Sequence, residues 1–244
     1  MFSFAIHSMA LIARVILVLA FLVCSLQAKN VEEFKFISNE DTLVTGVFSN
    51  DSKAKSQVVI WFHGAMSSAR CNKGLEAGRG FLEFVPQAIV ISPSACKNEN
   101  WLREKSIQRI DSVLNSLEEV RNQQIDSVYL VGVSDGALGV FAYSVFGKRN
   151  IKSRLLVSGF LKALGEPFEF QNIERLKKGS WWLLQGAQDR LYPADLTFLW
   201  NREFCKISGM KCVLHEDIHG EHDWSYWVKN HRNWILEFAR QINQ

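Results

Sequence analysis

Short apolar runs alternate with amphipathic stretches along most of the chain. The apolar runs have the length of strands buried on both faces of a sheet and cover residues 57–62, 88–92, 128–133 and 180–186. Between two of them, apolar residues recur at helical spacing over residues 106–124. This alternation predicts an α/β fold with a mainly parallel, doubly wound sheet of about eight strands flanked by helices.

The two ends of this pattern differ from its middle. Residues 33–38 and 42–49 are β-prone runs separated by a polar turn, which predicts an antiparallel hairpin. Towards the other end, residues 211–215 favour a strand and residues 226–242 favour one long helix.

The first 28 residues have the pattern of a secretory signal peptide. Arg14 precedes an apolar run over residues 15–23, and Ala28 ends a possible cleavage site. An uncleaved anchor is the alternative, although the run is short for a membrane span. We therefore expect residues 1–28 to be removed, residues 29–244 to form a single domain without stable membrane insertion, and the protein to be secreted or periplasmic.

Four cysteines remain once the signal peptide is removed. An even number of cysteines in an exported chain favours disulfides. Of the three possible connectivities, pairing of near neighbours favours Cys71–Cys96 and Cys205–Cys212, and four free thiols are the alternative if the chain is not exported. Their spacing fits no zinc-binding pattern.

Charge and composition name no partner. The chain carries 28 basic and 25 acidic residues for a net charge of +3, without the basic track that nucleic-acid binding needs. Its 48% hydrophobic content is enough for a sizeable core. We expect no metal and no organic cofactor, and the sequence leaves the oligomeric state open.

Ser134 stands at the end of an apolar run, between Gly132 and Gly136. A serine flanked in this way is typical of the strained strand-to-helix turn called a nucleophile elbow, where larger side chains at the glycine positions would collide. The sequence therefore predicts a nucleophile at Ser134.

Two other strand ends supply the partners that a serine nucleophile needs. Asp189 follows the run at residues 180–186, and His222 lies between the last strand and the last helix. In the order Ser134, Asp189, His222 these residues predict a triad in which His222 is the general base and Asp189 fixes its tautomer. The alternatives are Asp195 for the acid and His215 or His219 for the base.

An oxyanion hole is predicted beside the nucleophile. The strand at residues 57–62 ends at His63-Gly64-Ala65, where Gly64 allows the backbone to come close to a substrate. The backbone N–H groups of Ala65 and Asp135 are the expected donors.

A resemblance to a known family supports this arrangement. The segment Glu221-His222-Asp223-Trp224-Ser225-Tyr226-Trp227 resembles the HDWxxW segment of secreted esterases in the feruloyl-esterase and polyhydroxybutyrate-depolymerase-like branch of the α/β hydrolases. This resemblance implies a serine esterase with Ser134, Asp189 and His222 at the matching positions. Glu221 stands where a glycine commonly precedes the histidine, and Asp135 with Gly136-Ala137 replaces the more usual glycine pair after the serine.

About twenty residues separate the strands that end near residue 160 and begin at residue 180, too few for a large cap domain. An open cleft suits an ester carried on a chain end, a polymer or a surface. Trp101 and Trp224, in predicted loops, are candidates for stacking on the substrate, or else loop residues folded onto the surface.

The sequence thus predicts an exported carboxylesterase that forms an acyl-enzyme on Ser134. A peptidase or acyltransferase with the same triad is the second hypothesis. A non-catalytic binding protein of the same fold is the third.

Overall fold

The structure, a computed structural model, describes residues 32–36, 44–50, 57–67, 69–95 and 99–244. These residues belong to one compact unit, Glu32–Gln244. The predicted signal peptide lies outside the described residues.

The described strands form one eight-stranded sheet in the spatial order β1-β2-β4-β3-β5-β6-β7-β8. The strands are β1 (Glu32–Phe36), β2 (Thr45–Ser49), β3 (Val58–Phe62), β4 (Ile89–Pro93), β5 (Ser127–Val133), β6 (Asn150–Val157), β7 (Ser180–Gly186) and β8 (Lys211–Asp217). β1 and β2 pair antiparallel, as do β2 and β4, and the remaining pairs are parallel. The predicted mainly parallel sheet and the N-terminal hairpin are confirmed.

Seven α-helices are described, together with three short 3-10 helices. The α-helices are α1 (Asn72–Ala77), α2 (Glu104–Arg121), α3 (Gly136–Phe146), α4 (Glu174–Lys177), α5 (Ala194–Cys205), α6 (Trp224–Asn230) and α7 (Arg232–Arg240). The 3-10 helices cover Arg79–Glu83, Leu161–Leu164 and Pro167–Phe170. Helix α2 ends at Arg121, three residues before the predicted end at residue 124. The next residue, Asn122, adopts a left-handed conformation with a φ of 47°.

Both faces of the sheet are covered, because successive side chains of a strand point to opposite faces. On one face Phe62 packs against Tyr143 of α3, and on the other its neighbour Trp61 packs against Phe81 of a 3-10 helix. The same division holds in β7, where Trp181 contacts α5 and Trp182 contacts α7. This two-sided burial explains why the strands are continuous apolar runs rather than alternating ones.

The register aligns the carboxyl ends of the parallel strands at one edge of the sheet. Phe62 of β3 pairs with Gly132 of β5, and Gly186 of β7 pairs with Asp217 of β8. The loops that leave these ends therefore meet over the same edge.

The connection between β6 and β7 is short. It holds two 3-10 helices and the four-residue helix α4, which together form no separate domain. The expectation that no large cap domain is present is confirmed for the described residues.

The prediction of one helix over residues 226–242 is wrong. Helices α6 and α7 are separated at His231, whose φ of −129° and ψ of 34° are not helical. The His231 ring accounts for this break: its Nε2 lies 2.6 Å from Asp217 Oδ2, and the ring stacks on Trp234 with 3.8 Å between ring centroids. Tertiary contacts of one side chain thus override a helical pattern.

The disulfide Cys205–Cys212 is present and joins the end of α5 to the start of β8, with 5.3 Å between the Cα atoms. Cys71 is also disulfide-bonded. The predicted pairing of Cys71 with Cys96 involves a residue outside the described part of the chain.

Candidate active site

Ser134 occupies a strained turn between β5 and α3, with a φ of 55°. The two flanking glycines have no room for a side chain. A Cβ at Gly132 would lie 2.4 Å from Gly136 O, and a Cβ at Gly136 would lie 2.0 Å from Phe62 O. The GxSxG spacing is therefore explained by close backbone packing around a serine that stands above the edge of the sheet.

Asp189 and His222 form a hydrogen-bonded pair at the ends of the two neighbouring strands β7 and β8. His222 Nδ1 lies 2.8 Å from Asp189 Oδ2, while Asp189 Oδ1 accepts the backbone N–H groups of Leu191 at 2.9 Å and Tyr192 at 3.0 Å. Burial opposes ionisation of Asp189, but the hydrogen bonds from His222 and the two amides outweigh it and lower the pKa of the carboxyl. An ionised Asp189 can only accept at this contact, so Nδ1 is the donor, and in the neutral imidazole Nε2 is then the nitrogen with a free lone pair.

The other candidates for these roles lie elsewhere. Asp195 is exposed in the first turn of α5, and His219 is exposed with its backbone N–H bonded to Asp217. The His215 ring stacks on Trp234 with 4.4 Å between ring centroids. Of the three predicted histidines, only His222 contacts Asp189 among the described residues.

Ser134 and His222 face one cavity of about 420 Å³. Its lining also includes Trp61, His63, Gly64, Ala65, Ala77, Val133, Leu191, Asp223 and Trp224. The nearest hydrogen-bond partner of Ser134 Oγ in the described part of the chain is Tyr192 OH, at 3.4 Å. A molecule bound in this cavity would contact both Ser134 and His222.

The loop after β3 brings a second backbone segment to the nucleophile. A Cβ at Gly64 would lie 2.9 Å from Ser134 Cβ, so only glycine permits this approach. Ala65 follows with a φ of 52° and lines the cavity, while Asp135 begins the turn into α3. One predicted oxyanion donor, Ala65, thus belongs to the loop that packs against Ser134, and the other, Asp135, directly follows Ser134 in the chain.

His63 fixes this loop. Its Nδ1 lies 2.7 Å from Gly64 O and its Nε2 lies 3.0 Å from Ala95 N, an arrangement that requires Nδ1 to donate and Nε2 to accept. We infer that the ring is neutral and fixes the positions of Gly64 and Ala65, because both of its nitrogens are hydrogen-bonded to backbone groups.

The fold is similar to that of known esterases, although the sequence is not. No family model matches the sequence, and no curated protein matches it either. Solved structures do. A ferulic acid esterase shares 16% identity with a TM-score of 0.62, and the match covers 88% of this chain and 98% of that one. An esterase from Pyrococcus furiosus shares 15% identity with a TM-score of 0.61, covering 88% of this chain and 91% of that one.

A thermostable esterase is similar at 16% identity and a TM-score of 0.61, with 87% of this chain covered. This chain spans 63% of that protein's length. The chain has the α/β hydrolase fold. At these identities the likeness establishes the fold, and the chemistry has to be argued from the residues of the site.

Within the α/β hydrolase fold, Trp101 does not have the predicted place. It is fully buried, its ring packs edge-on against Phe62, and its indole N–H donates to His63 O at 3.1 Å. The prediction that Trp101 stacks on a substrate is wrong, because the loop before α2 folds into the core. Trp224 does line the cavity, held edge-on against Trp61 with 5.1 Å between ring centroids.

Tyr192 is the site residue that the sequence analysis missed. It lies three residues after Asp189, and its hydroxyl reaches back to the nucleophile elbow, where it donates to Asp135 Oδ1 at 3.0 Å. In the sequence, only its position three residues after Asp189 points to Tyr192. Its hydrogen-bond partners Asp135 and Ser134 lie 57 and 58 residues earlier in the chain.

No group of three or more histidine, cysteine or acidic side chains in the described residues is arranged to hold a metal ion. In the same part of the chain, no helix has the length and hydropathy to cross a membrane.

Proposed function

We propose that this protein is an exported carboxylesterase that cleaves esters through an acyl-enzyme on Ser134. The observation that carries the proposal is the Asp189–His222 hydrogen bond at the same cavity as a serine in a nucleophile elbow. The esterases among the structural neighbours support the reaction class.

In this mechanism the unprotonated Nε2 of His222 takes the proton of Ser134 as Oγ attacks the ester carbonyl carbon. The carbonyl oxygen becomes an oxyanion that the N–H groups of Ala65 and Asp135 stabilise. When the tetrahedral intermediate collapses, the carbon–oxygen bond to the alcohol breaks and the alcohol takes the proton from His222. Asp189 stabilises the imidazolium that exists between these two transfers.

Water then enters as the second nucleophile. His222 takes a proton from this water while the water oxygen attacks the acyl carbon. The bond between the acyl carbon and Ser134 Oγ then breaks, and Oγ takes the proton back from His222. The acid is released and the resting enzyme is restored.

The cavity walls suggest the kind of acyl group. Trp61, Trp224, Leu191 and Ala77 present mainly apolar surface, which suits an apolar or aromatic acyl chain more than a charged one. The ferulic acid esterase among the neighbours makes hydroxycinnamoyl esters a sensible part of the substrate panel.

The test is intact-protein mass spectrometry of secreted material before and after a fluorophosphonate probe, with peptide mapping. We expect one probe adduct, on Ser134, and an intact mass that corresponds to residues 29–244. In Ser134→Ala, the rate of ester hydrolysis should fall by at least about 10³-fold. Ser112→Ala, at an exposed serine of α2, is the matched control. Retained hydrolysis in Ser134→Ala contradicts the proposed nucleophile, a mass that includes residues 1–28 contradicts cleavage after Ala28, and absence of the protein from the secreted material contradicts its export.

A further inference from the structure

Tyr192 contacts every member of the proposed triad. Its hydroxyl lies 3.4 Å from Ser134 Oγ, its backbone N–H donates to Asp189 Oδ1 at 3.0 Å, and its ring meets the His222 ring edge-on with 5.2 Å between centroids. The ring itself is fixed from behind by Phe160, which stacks on it at 5.0 Å with 13° between the planes. This side chain is thus rigidly placed beside the reacting atoms.

The partner of the Tyr192 hydroxyl is the carboxylate of Asp135. The hydroxyl has a single proton, and the contact of 3.0 Å to Asp135 Oδ1 uses it. Towards Ser134 the phenolic oxygen therefore offers only lone pairs, so the serine hydroxyl is the donor in that contact. Burial raises the pKa of Tyr192; the hydrogen bond from Ser134 opposes this rise and the charge of Asp135 adds to it, so the phenol keeps its proton at neutral pH.

Asp135 is an unfavourable residue for its position unless its charge is controlled. It follows the nucleophile directly, and its own backbone N–H is a proposed oxyanion donor. A carboxylate that is free to turn towards Ser134 would oppose the negative charge that develops on the substrate. The hydrogen bond from Tyr192 holds one oxygen of this carboxylate at the phenol.

We propose that Tyr192 is a positioning residue that holds the Asp135 carboxylate away from the developing oxyanion. This inference rests on the proposed function and explains how an acidic residue is tolerated directly after the nucleophile. Tyr192 acts through Asp135, and the pair functions as a unit.

A double-mutant cycle on the full chain tests the pair, with a neutral short-chain p-nitrophenyl ester as substrate. Tyr192→Phe keeps the ring and its backbone donor but releases the carboxylate, and we expect kcat to fall about tenfold with little change in KM, since the charge acts mainly on the transition state. Asp135→Asn in the Tyr192→Phe background removes the released charge, and kcat should recover by about the same factor.

Salt provides a second readout that a packing role would not change. The loss of kcat in Tyr192→Phe should shrink between low and high ionic strength, because salt screens the partly exposed charge of Asp135. Thermal unfolding of each variant verifies that it is folded.

The inference is overturned if the double variant is no faster than Tyr192→Phe, or if Tyr192→Phe equals the wild type. Ser134→Ala in the same assay separates this failure from failure of the proposed function. Hydrolysis that is lost in Ser134→Ala but not rescued in the double variant removes only the role of Tyr192, whereas hydrolysis that survives in Ser134→Ala removes both.

Discussion

Asp189 uses its two carboxylate oxygens for different tasks. Oδ2 receives His222, and Oδ1 receives the backbone N–H groups of Leu191 and Tyr192. The same side chain thus orients the proposed base and shapes the loop that carries Tyr192. Since the residue is only 7% exposed, it has little access to water as a substitute partner.

We predict that Asp189→Asn lowers kcat by about 10³-fold or more, because an amide favours the wrong tautomer of His222. The measurement is steady-state hydrolysis of a p-nitrophenyl ester. Asp195→Asn is the matched control, since Asp195 is an exposed carboxylate at the start of α5. A larger loss in Asp195→Asn than in Asp189→Asn would move the role of the acid to Asp195.

Among individual residues, those that could be predicted from the sequence are the ones whose local geometry demands a particular residue type. Gly132 and Gly136 are required by contacts within the elbow, and this requirement made Ser134 recognisable. Trp101 and Tyr192 have no comparable local signal. Their environments depend on how distant loops fold back, which the pattern of one sequence does not contain.

The turn at Ser134 is also the place where β3, β5 and α3 pack closely against one another. Gly136 lies directly against the backbone of Phe62, and Gly139, one turn further along α3, lies against the ring of the same residue. Small residues on this side of α3 let the helix approach the sheet closely, so the position of Ser134 depends on the fit of the whole element.

We predict that Gly136→Ala destabilises the protein by about 2 kcal/mol or more, because the new Cβ would overlap the backbone oxygen of Phe62. Chemical denaturation measures the loss, and probe labelling of Ser134 should slow in parallel. Gly80→Ala is the matched control, since a Cβ at Gly80 meets nothing within 4 Å. Equal stability of the two variants would show that the elbow can relax.

Among the strands and helices, the buried strands were predictable because both of their faces are covered and their apolar runs are unbroken. The helix over residues 226–242 was not, because its periodicity continues through His231 while the chain does not. The break coincides with two contacts of the His231 ring: Asp217 of β8 binds it from outside the predicted helix, and Trp234 of α7 stacks on it.

Charges buried in different parts of the molecule make its stability depend on pH. Burial opposes ionisation of Asp217, but hydrogen bonds from Tyr226, from the backbone N–H of His219 and from His231 outweigh it and lower the pKa. The same balance lowers the pKa of Asp189. For His215, burial is the largest cause and lowers the pKa, with Glu237 opposing it and His231 adding to it.

The lowered pKa values of Asp189, Asp217 and His215 all change the free energy of unfolding in the same direction. A group whose pKa is lower in the folded state takes up its proton first in the unfolded state, so stability is lost as pH falls. We predict two stages of loss in the free energy of unfolding. The first starts below about pH 6.5, the ordinary pKa of histidine, and the second starts below about pH 4, the ordinary pKa of aspartate.

Urea denaturation between pH 8 and pH 3 measures both stages. His215→Gln should remove much of the first stage, while His219→Gln, at an exposed histidine, is the control. If the stability curves of His215→Gln and wild type run parallel between pH 7.5 and pH 5, His215 is not the cause.

The order of strands in the sheet has a consequence for when the site comes into existence. The hairpin of β1 and β2 is synthesised first, yet β2 pairs with β4, so it has no place in the sheet until β4 has been made. The elbow on β5 follows in the middle of the sheet, while His222 depends on β8, the outermost strand at the other edge. A growing chain would therefore carry the proposed nucleophile long before the proposed base, and the reactivity of Ser134 would arrive as one of the last events of folding.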